Sequence, residues 1–354
     1  MTNFARRVLV SIALIAMLPG NLVQAADVDN GRRVFETNCV VCHGSTGKAD
    51  ENSAVVQGLG VVPADFSDAL FNSREPAGDW EMVIKYGGAA LGLAEQMPAH
   101  EQVLSDDDIA DVTAYAKTLA NTIEFPPGEM NLMLPVRTKK AFPEDEVVYK
   151  GRYTPQDGDD ALKNVVEFEK RVGKRGQVIV ELVHNAEGSV KELSEAEVGY
   201  KQAISFSKSH VLSAAAVVAI PVEADGDGEL QTYLAYGREL SGLWTLQSSL
   251  RLKFPFDSSS DGSMELAGIV HYTHSPWPRM VFPALEVIAE TPFDSDEGDL
   301  EWSALPQVRI GLTRGGHVAL NLGVELPLSG QDWDERYHLT LLWDFADGGF
   351  FKGW

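Results

Sequence analysis

Residues 244–254 read Trp-Thr-Leu-Gln-Ser-Ser-Leu-Arg-Leu-Lys-Phe, and their spacing decides the fold of most of the chain. Trp244, Leu246, Ser248, Leu250, Leu252 and Phe254 alternate with Thr245, Gln247, Ser249, Arg251 and Lys253. A period of two is that of a β-strand, whose successive side chains point to opposite faces. Val318, Leu320, Leu322, Val324 and Leu326 repeat the pattern against His317, Ala319, Asn321, Gly323 and Glu325. Tyr337, Leu339, Leu341, Trp343 and Phe345 repeat it again near the end. Each segment has one apolar face and one small or polar face.

Two antiparallel architectures produce that alternation. A soluble sandwich turns the apolar faces inward, whereas a transmembrane barrel turns them outward to lipid. From about Glu146 onward, long gaps fall near 155–162, 186–195, 221–229, 255–263, 291–303 and 327–336. Short turns fall between them, at 173–176, 207–209, 239–242, 275–278 and 314–315. The strict alternation yields about 12 strands, an even number, most near the 10 residues that such strands need. This arrangement resembles bacterial outer-membrane barrels, and the terminal Trp354 resembles their assembly signal. The resemblance implies a closed barrel at 145–354 with both chain ends facing the periplasm. The long gaps include acidic stretches at 223–227 and 294–299, as outer loops would. Some features depart from the pattern. Gly348, Gly349 and Lys352 interrupt the last segment, 164–183 and 280–290 are not cleanly two-faced, and Lys170 and Glu286 fall on the expected lipid face. His271, His274, His317 and His338 are expected as lumen or turn residues, since a metal site needs convergent partners. No nucleophile elbow, P-loop or dinucleotide fingerprint occurs in this half.

The chemistry lies at the other end. Residues 38–44 read Asn-Cys-Val-Val-Cys-His-Gly, and the chain has only these two cysteines, Cys39 and Cys42. Cys-x-x-Cys-His is the haem c attachment signature. On a helical turn, thiols three apart face one way and can each form a thioether with a haem vinyl group. His43 then lies beneath the ring to bind iron. A redox dithiol does not need the histidine, and a zinc site needs a second ligand pair that the chain lacks. Met97, in Ala-Glu-Gln-Met-Pro-Ala, is the expected second axial ligand, with Pro98 stiffening its approach. His100 and an open site are the alternatives. The pattern predicts a helix from Asp27 to Thr37 and a short one from Asp79 to Tyr86. A third follows the Ser105–Asp108 capping pair, with Ile109, Val112, Ala116 and Leu119 on one face.

Residues 26 to about 125 resemble a class I c-type cytochrome domain. The resemblance rests on Gly31, Phe35, Cys39 to Gly44, Pro63-Ala64-Asp65-Phe66, Gly87-Gly88, Met97-Pro98 and the helix from Leu104 to Leu119. It implies an all-α domain with Cys39 and Cys42 as thioether anchors, and His43 and Met97 as the iron ligands. It also suggests that Pro63 sets its carbonyl against the His43 ring. Phe125-Pro126-Pro127-Gly128 stops the last helix, so 26–122 is expected as the cytochrome domain and 123–144 as an extended linker.

Arg6 and Arg7, an apolar run from Val8 to Leu18, and a small-residue site ending at Ala25 predict an export signal over 1–25. The formal charge is -23, and loss of a segment holding two arginines and no acid leaves -25. So acidic a surface excludes nucleic acid as a partner. The sequence therefore predicts an exported α+β two-domain protein of a Gram-negative bacterium, with one covalent haem c in the periplasm and a barrel in the outer membrane. Its expected role is electron transfer to redox partner proteins of the cell envelope, as a carrier rather than an enzyme with its own substrate. Two alternatives remain. One is a haem c subunit of a periplasmic oxidoreductase whose β domain is a soluble substrate-binding module; the other is a redox or gas sensor.

Overall fold

The computed structural model describes residues 26–156, 158–188, 190–222, 228–257, 261–293 and 300–354. The export segment and the acidic stretches 223–227 and 294–299 lie outside them. A helical N-terminal domain precedes a closed antiparallel barrel of 12 strands.

The helical domain contains α1 (Val28–Asn38), α2 (Val40–His43), α3 (Ala54–Leu59), α4 (Ala69–Arg74), α5 (Ala77–Tyr86) and α6 (Asp106–Lys117), with a 3-10 turn at Gly88–Leu91. Asp27 caps α1 by accepting from the backbone N–H groups of Asp29 and Asn30. At α6 the predicted capping pair closes reciprocally, with Ser105 and Asp108 each accepting from the other's backbone N–H. α1 and α6 cross closely at Gly31, where an added Cβ would come within 1.9 Å of the Asp111 carbonyl oxygen. Val34, Phe35, Trp80, Val112 and Ala116 form the buried core, with Cys39, Val40 and Phe66 packed against it.

The barrel runs β1 (Glu146–Thr154), β2 (Ala161–Val172), β3 (Gly176–Glu187), β4 (Val190–Ser207), β5 (His210–Pro221), β6 (Glu229–Ser241), β7 (Trp244–Pro255), β8 (Ser263–Tyr272), β9 (Val281–Pro292), β10 (Glu301–Gly311), β11 (Val318–Pro327) and β12 (Arg336–Asp344). Each strand pairs with its sequence neighbours, and β1 pairs with β12 from Glu146↔Asp344 to Tyr153↔Tyr337, closing the ring. Closure leaves no unpaired edge. The outside is apolar: Val166, Phe168, Leu182, Val198, Leu234, Leu285, Leu322 and Leu339 are all exposed. The inside is polar: Glu167, Glu181, Gln231, Gln247, Glu265, Asn321 and Thr340 are buried. A soluble sandwich would have the reverse. Aromatic pairs ring both ends of the outer face. Phe168 stacks on Phe345 and Trp244 packs on Tyr272 at one end, with Tyr153 near Tyr337 and Phe254 on Phe293 at the other. An apolar band between two aromatic girdles is the kind of surface that barrels spanning a bilayer turn to lipid.

Three local readings of the barrel need correction. The stretch 186–195 is not a long gap: β3 runs to Glu187 and β4 begins at Val190, the two residues pairing with each other, with a bulge at Val183/His184. Charged and small residues occupy most positions of this stretch, so no apolar alternation marks it as strand. The connection around 275–278 spans the eight residues 273–280. Glu286 is not on the lipid face; it is 0 % exposed and accepts from the backbone N–H groups of Arg137 and Thr138. Val281, Pro283, Leu285 and Val287 face outward instead. Lys170 does point outward, at the barrel end, where it pairs with Asp145 and lies 5.5 Å from the Phe345 ring.

The stretch expected as a linker is part of the barrel's interior. Leu132, Leu134, Ala141 and Phe142 are buried. The carbonyls of Met133 and Leu134 accept from Gln247 and Asn321, and those of Ala141 and Phe142 accept from Ser213 and Lys201. At the innermost point Arg137 pairs with Glu265 and Glu325, while Lys139 pairs with Glu181. Residues 131–145 thus enter the lumen, turn and leave at the start of β1, filling the half nearest the helical domain.

Candidate functional site

Cys39 is the N-cap of α2, and Cys42 and His43 lie within its single turn. The i, i+3 spacing sets both thiols on one side of that turn. Gly44, at φ +71°, ends the helix in a conformation that an L side chain rarely adopts. All three functional residues are half-buried, while Val41 between them is 65 % exposed. The turn therefore lies at the surface, with its reactive side partly covered.

The His43 ring is oriented from two directions. Its Nδ1 lies 3.4 Å from the Ala64 carbonyl oxygen, and the ring stacks on Phe66 with centroids 4.6 Å apart. The expected carbonyl is thus displaced by one residue, from Pro63 to Ala64. Phe66 in turn packs against Phe35 and Trp80, which ties the ring to the core. Phe66 ends the Pro63-Ala64-Asp65-Phe66 stretch, and spacing alone gives no reason to assign it a role. Burial pushes the His43 pKa below its ordinary value, opposed by the Ala64 carbonyl. Nδ1–H directed at a carbonyl leaves Nε2 as the free lone pair, the form a metal needs. Burial, and then the neighbouring Cys42, push the Cys39 thiol up to about 11. A thiol so hard to ionise is unlike the low-pKa cysteine of a redox dithiol.

Met97 lies in the loop after the 3-10 turn and is half-buried. Its backbone is fixed by Gly88, whose N–H donates to the Met97 carbonyl at 3.0 Å, and by its own N–H to Ala94 at 3.2 Å. The Gly87-Gly88 pair has a physical reason. A Cβ on Gly87, at φ +79°, would meet Met97 and Ala99 backbone at about 3.0 Å, and one on Gly88 would lie 2.1 Å from the Ala94 oxygen. His100 is held by its backbone to Ile84, and its Nδ1 is buried with no hydrogen-bond partner among the described residues. Pro98 stands between the two side chains' backbone anchors, so both remain in the same short loop. Among the described residues no group of three or more His, Cys, Asp or Glu converges as a metal site. His271 and His338 line the lumen, and His274 and His317 lie in the adjoining connections.

The helical domain is docked on the barrel end where β1 begins and β12 finishes. Tyr86 packs on Trp277 at 4.8 Å, Arg74 pairs with Asp347 at 3.3 Å, and Arg314 reaches the Ala89 carbonyl. Gly92 and Gly353 touch backbone to backbone, and a Cβ on Gly92 would come within 2.7 Å of Gly353 Cα. Gly128 lies equally close against Glu75.

Residues 26–115 match a cytochrome c family model. Its description is cytochrome c oxidase, cbb3-type, subunit III. The match implies haem binding by this cytochrome c domain. A thiosulfate dehydrogenase of Psychrobacter arcticus is 32% identical over 98 residues, which span 28% of this chain and 28% of that protein. Among solved structures, the NanC porin aligns over 56% of this chain and 98% of its own, at 10% identity and a TM-score of 0.43. An outer-membrane channel from Pseudomonas putida F1 aligns over 60% of this chain and 99% of its own, at 11% identity and a TM-score of 0.46. The sequence matches concern the cytochrome c domain, and the barrel's character rests on its own strands.

Proposed function

We propose that this protein carries one haem c, covalently held in the periplasm by a domain seated on the inner end of an outer-membrane barrel, and that it transfers electrons to redox partners of the cell envelope. The observation that carries the reading is the α2 turn: two thiols and a neutral, carbonyl-oriented imidazole on one partly exposed helical turn. Cys39 and Cys42 would form the thioethers, and His43 and Met97 would bind the iron from opposite faces. Bound there, the haem supplies a one-electron couple, and a sulfur ligand raises its potential relative to two histidines. The residues of the chain set the rest. Phe66 and Ala64 hold His43 in one orientation, the Gly87-Gly88 turn holds Met97, and the exposed Val41 side leaves an edge for a transient partner. The apolar outer band and paired aromatic girdles support the membrane placement. They also weigh against the soluble substrate-binding alternative, because so much exposed apolar surface would aggregate in water.

Fractionation of expressing cells tests both halves at once. The haem stain should survive denaturing electrophoresis on a band of the full chain, and that band should stay with outer membranes in alkaline carbonate. A band without stain refutes the haem assignment, and release by carbonate refutes the barrel assignment.

A further inference from the structure

The described residues leave unfilled the half of the lumen away from the cytochrome c domain. A cavity of about 540 Å³ lies there, floored by the apex of the inserted segment at Arg137 and walled by the strands up to their ends at Gly228, Pro255 and Arg336. Nine of the chain's 29 basic residues line it, in a protein whose net charge is -23. Seven glutamates share the lining, and most of the charge is internally balanced. Lys150 pairs with Glu167, Lys139 with Glu181, Lys140 with Glu144, Arg251 with Glu265, and Arg137 with Glu265 and Glu325.

Four cations remain. Arg152, Lys163, Lys253 and Arg336 line the cavity, and among the described residues none makes an ion pair or side-chain hydrogen bond. Arg152, Lys163 and Arg336 stand on the adjacent strands β1, β2 and β12, with Lys253 on β7 across the ring. Arg336 is braced by Trp333, 4.0 Å from its ring centre, and the Nε atoms of Arg336 and Arg251 are buried without acceptors. Cations gathered in a confined, partly desolvated space repel one another, and a shared anion removes that cost. Guanidinium groups present paired donors that match carboxylate and oxyanion geometry.

We propose that this cavity is a binding chamber for small, multiply charged anions, carboxylate or inorganic oxyanion, held by Arg152, Lys163 and Arg336 with Lys253 opposite. It is a blind chamber, since the inserted segment closes it below. Anions that reach the barrel from that end are retained there and do not pass to the haem domain. The glutamates at the same level, Glu195, Glu229 and Glu290, restrict the chamber to ligands whose charge lies toward the β12–β1–β2 wall.

The test uses the purified full-length protein in neutral detergent. Citrate and sulfate are titrated by calorimetry at constant ionic strength, and the thermal unfolding midpoint is followed in parallel, because a ligand of the folded state raises it. Saturable binding of at least one of the two is expected. It should be weakened tenfold or more by the double substitution Arg152→Gln/Lys163→Gln, with the visible haem spectrum unchanged. Should that variant not fold, Lys253→Gln on the opposite wall is expected to weaken binding in the same direction. The proposal is overturned by binding that disappears at constant ionic strength, by affinity unchanged in the folded variant, or by tighter binding of Ca²⁺ than of either anion. The last outcome would assign the chamber to its glutamates.

Discussion

At the scale of single residues, the axial methionine carries the sharpest consequence. Met97→Ala should abolish the weak far-red absorption band of sulfur-bound ferric iron and lower the midpoint potential, while the covalent haem stain persists. Persistence of the band would move the ligand to another residue. His100, three positions on with an unpartnered Nδ1, is the residue whose substitution then becomes informative. Cys39, Cys42 and His43 were legible in the sequence because their chemistry dictates a fixed spacing on one helical turn. The ring's supports were not. Ala64 acts through its carbonyl, which every residue has, and Phe66 through a stacking contact that no spacing encodes.

Single elements differ in how openly their sequence declares them. Strands with one apolar outward side show a period of two, and β7, β11 and β12 were legible for that reason. The far ends of β3 and β4 are rich in charged and small residues with no apolar alternation, so their sequence reads as loop. The inserted segment 131–145 was hidden by the same physics in reverse. Its partners are the polar side chains of the lumen, so it needs no apolar periodicity, and its prolines gave it the composition of a linker. Arg137 holds that segment against Glu265 and Glu325, both almost fully buried. Replacing one member of a buried ion pair leaves its partner uncompensated, at a cost of about 3–5 kcal/mol. Arg137→Met should therefore lower the temperature at which the folded barrel converts to its slower-migrating unfolded form on gels. An unchanged conversion temperature would mean that the inserted segment contributes little to barrel stability.

At the scale of the whole molecule, the two domains are joined by more than the chain connecting them. Tyr86–Trp277, Arg74–Asp347 and the Gly92–Gly353 approach tie the haem domain to the β8–β9 connection and to the segment that follows β12. The extended 273–280 connection makes sense in this light, because a tight turn there would not carry Trp277 to Tyr86. Trp277→Ala should speed limited proteolysis by subtilisin between the domains, around the exposed Ile123, without altering the visible spectrum. Equal cleavage rates would show that the other contacts suffice. The contact itself was not legible in sequence, since Ser-Pro-Trp-Pro is also what an ordinary short turn would contain.

The seam between β1 and β12 joins the barrel's first strand to its twelfth, so the ring cannot shut until β12 is in place. Residues 131–145 precede the first strand and are already to hand when that happens. Threading a charged loop into a finished cylinder would mean stripping water from Arg137, Lys139 and Lys140 before their acidic partners could receive them. Wrapping the sheet around the loop avoids this, with each partner arriving as its strand is laid down. Assembly thus has a built-in order: the stopper first, the staves around it, and the final stave as the lock.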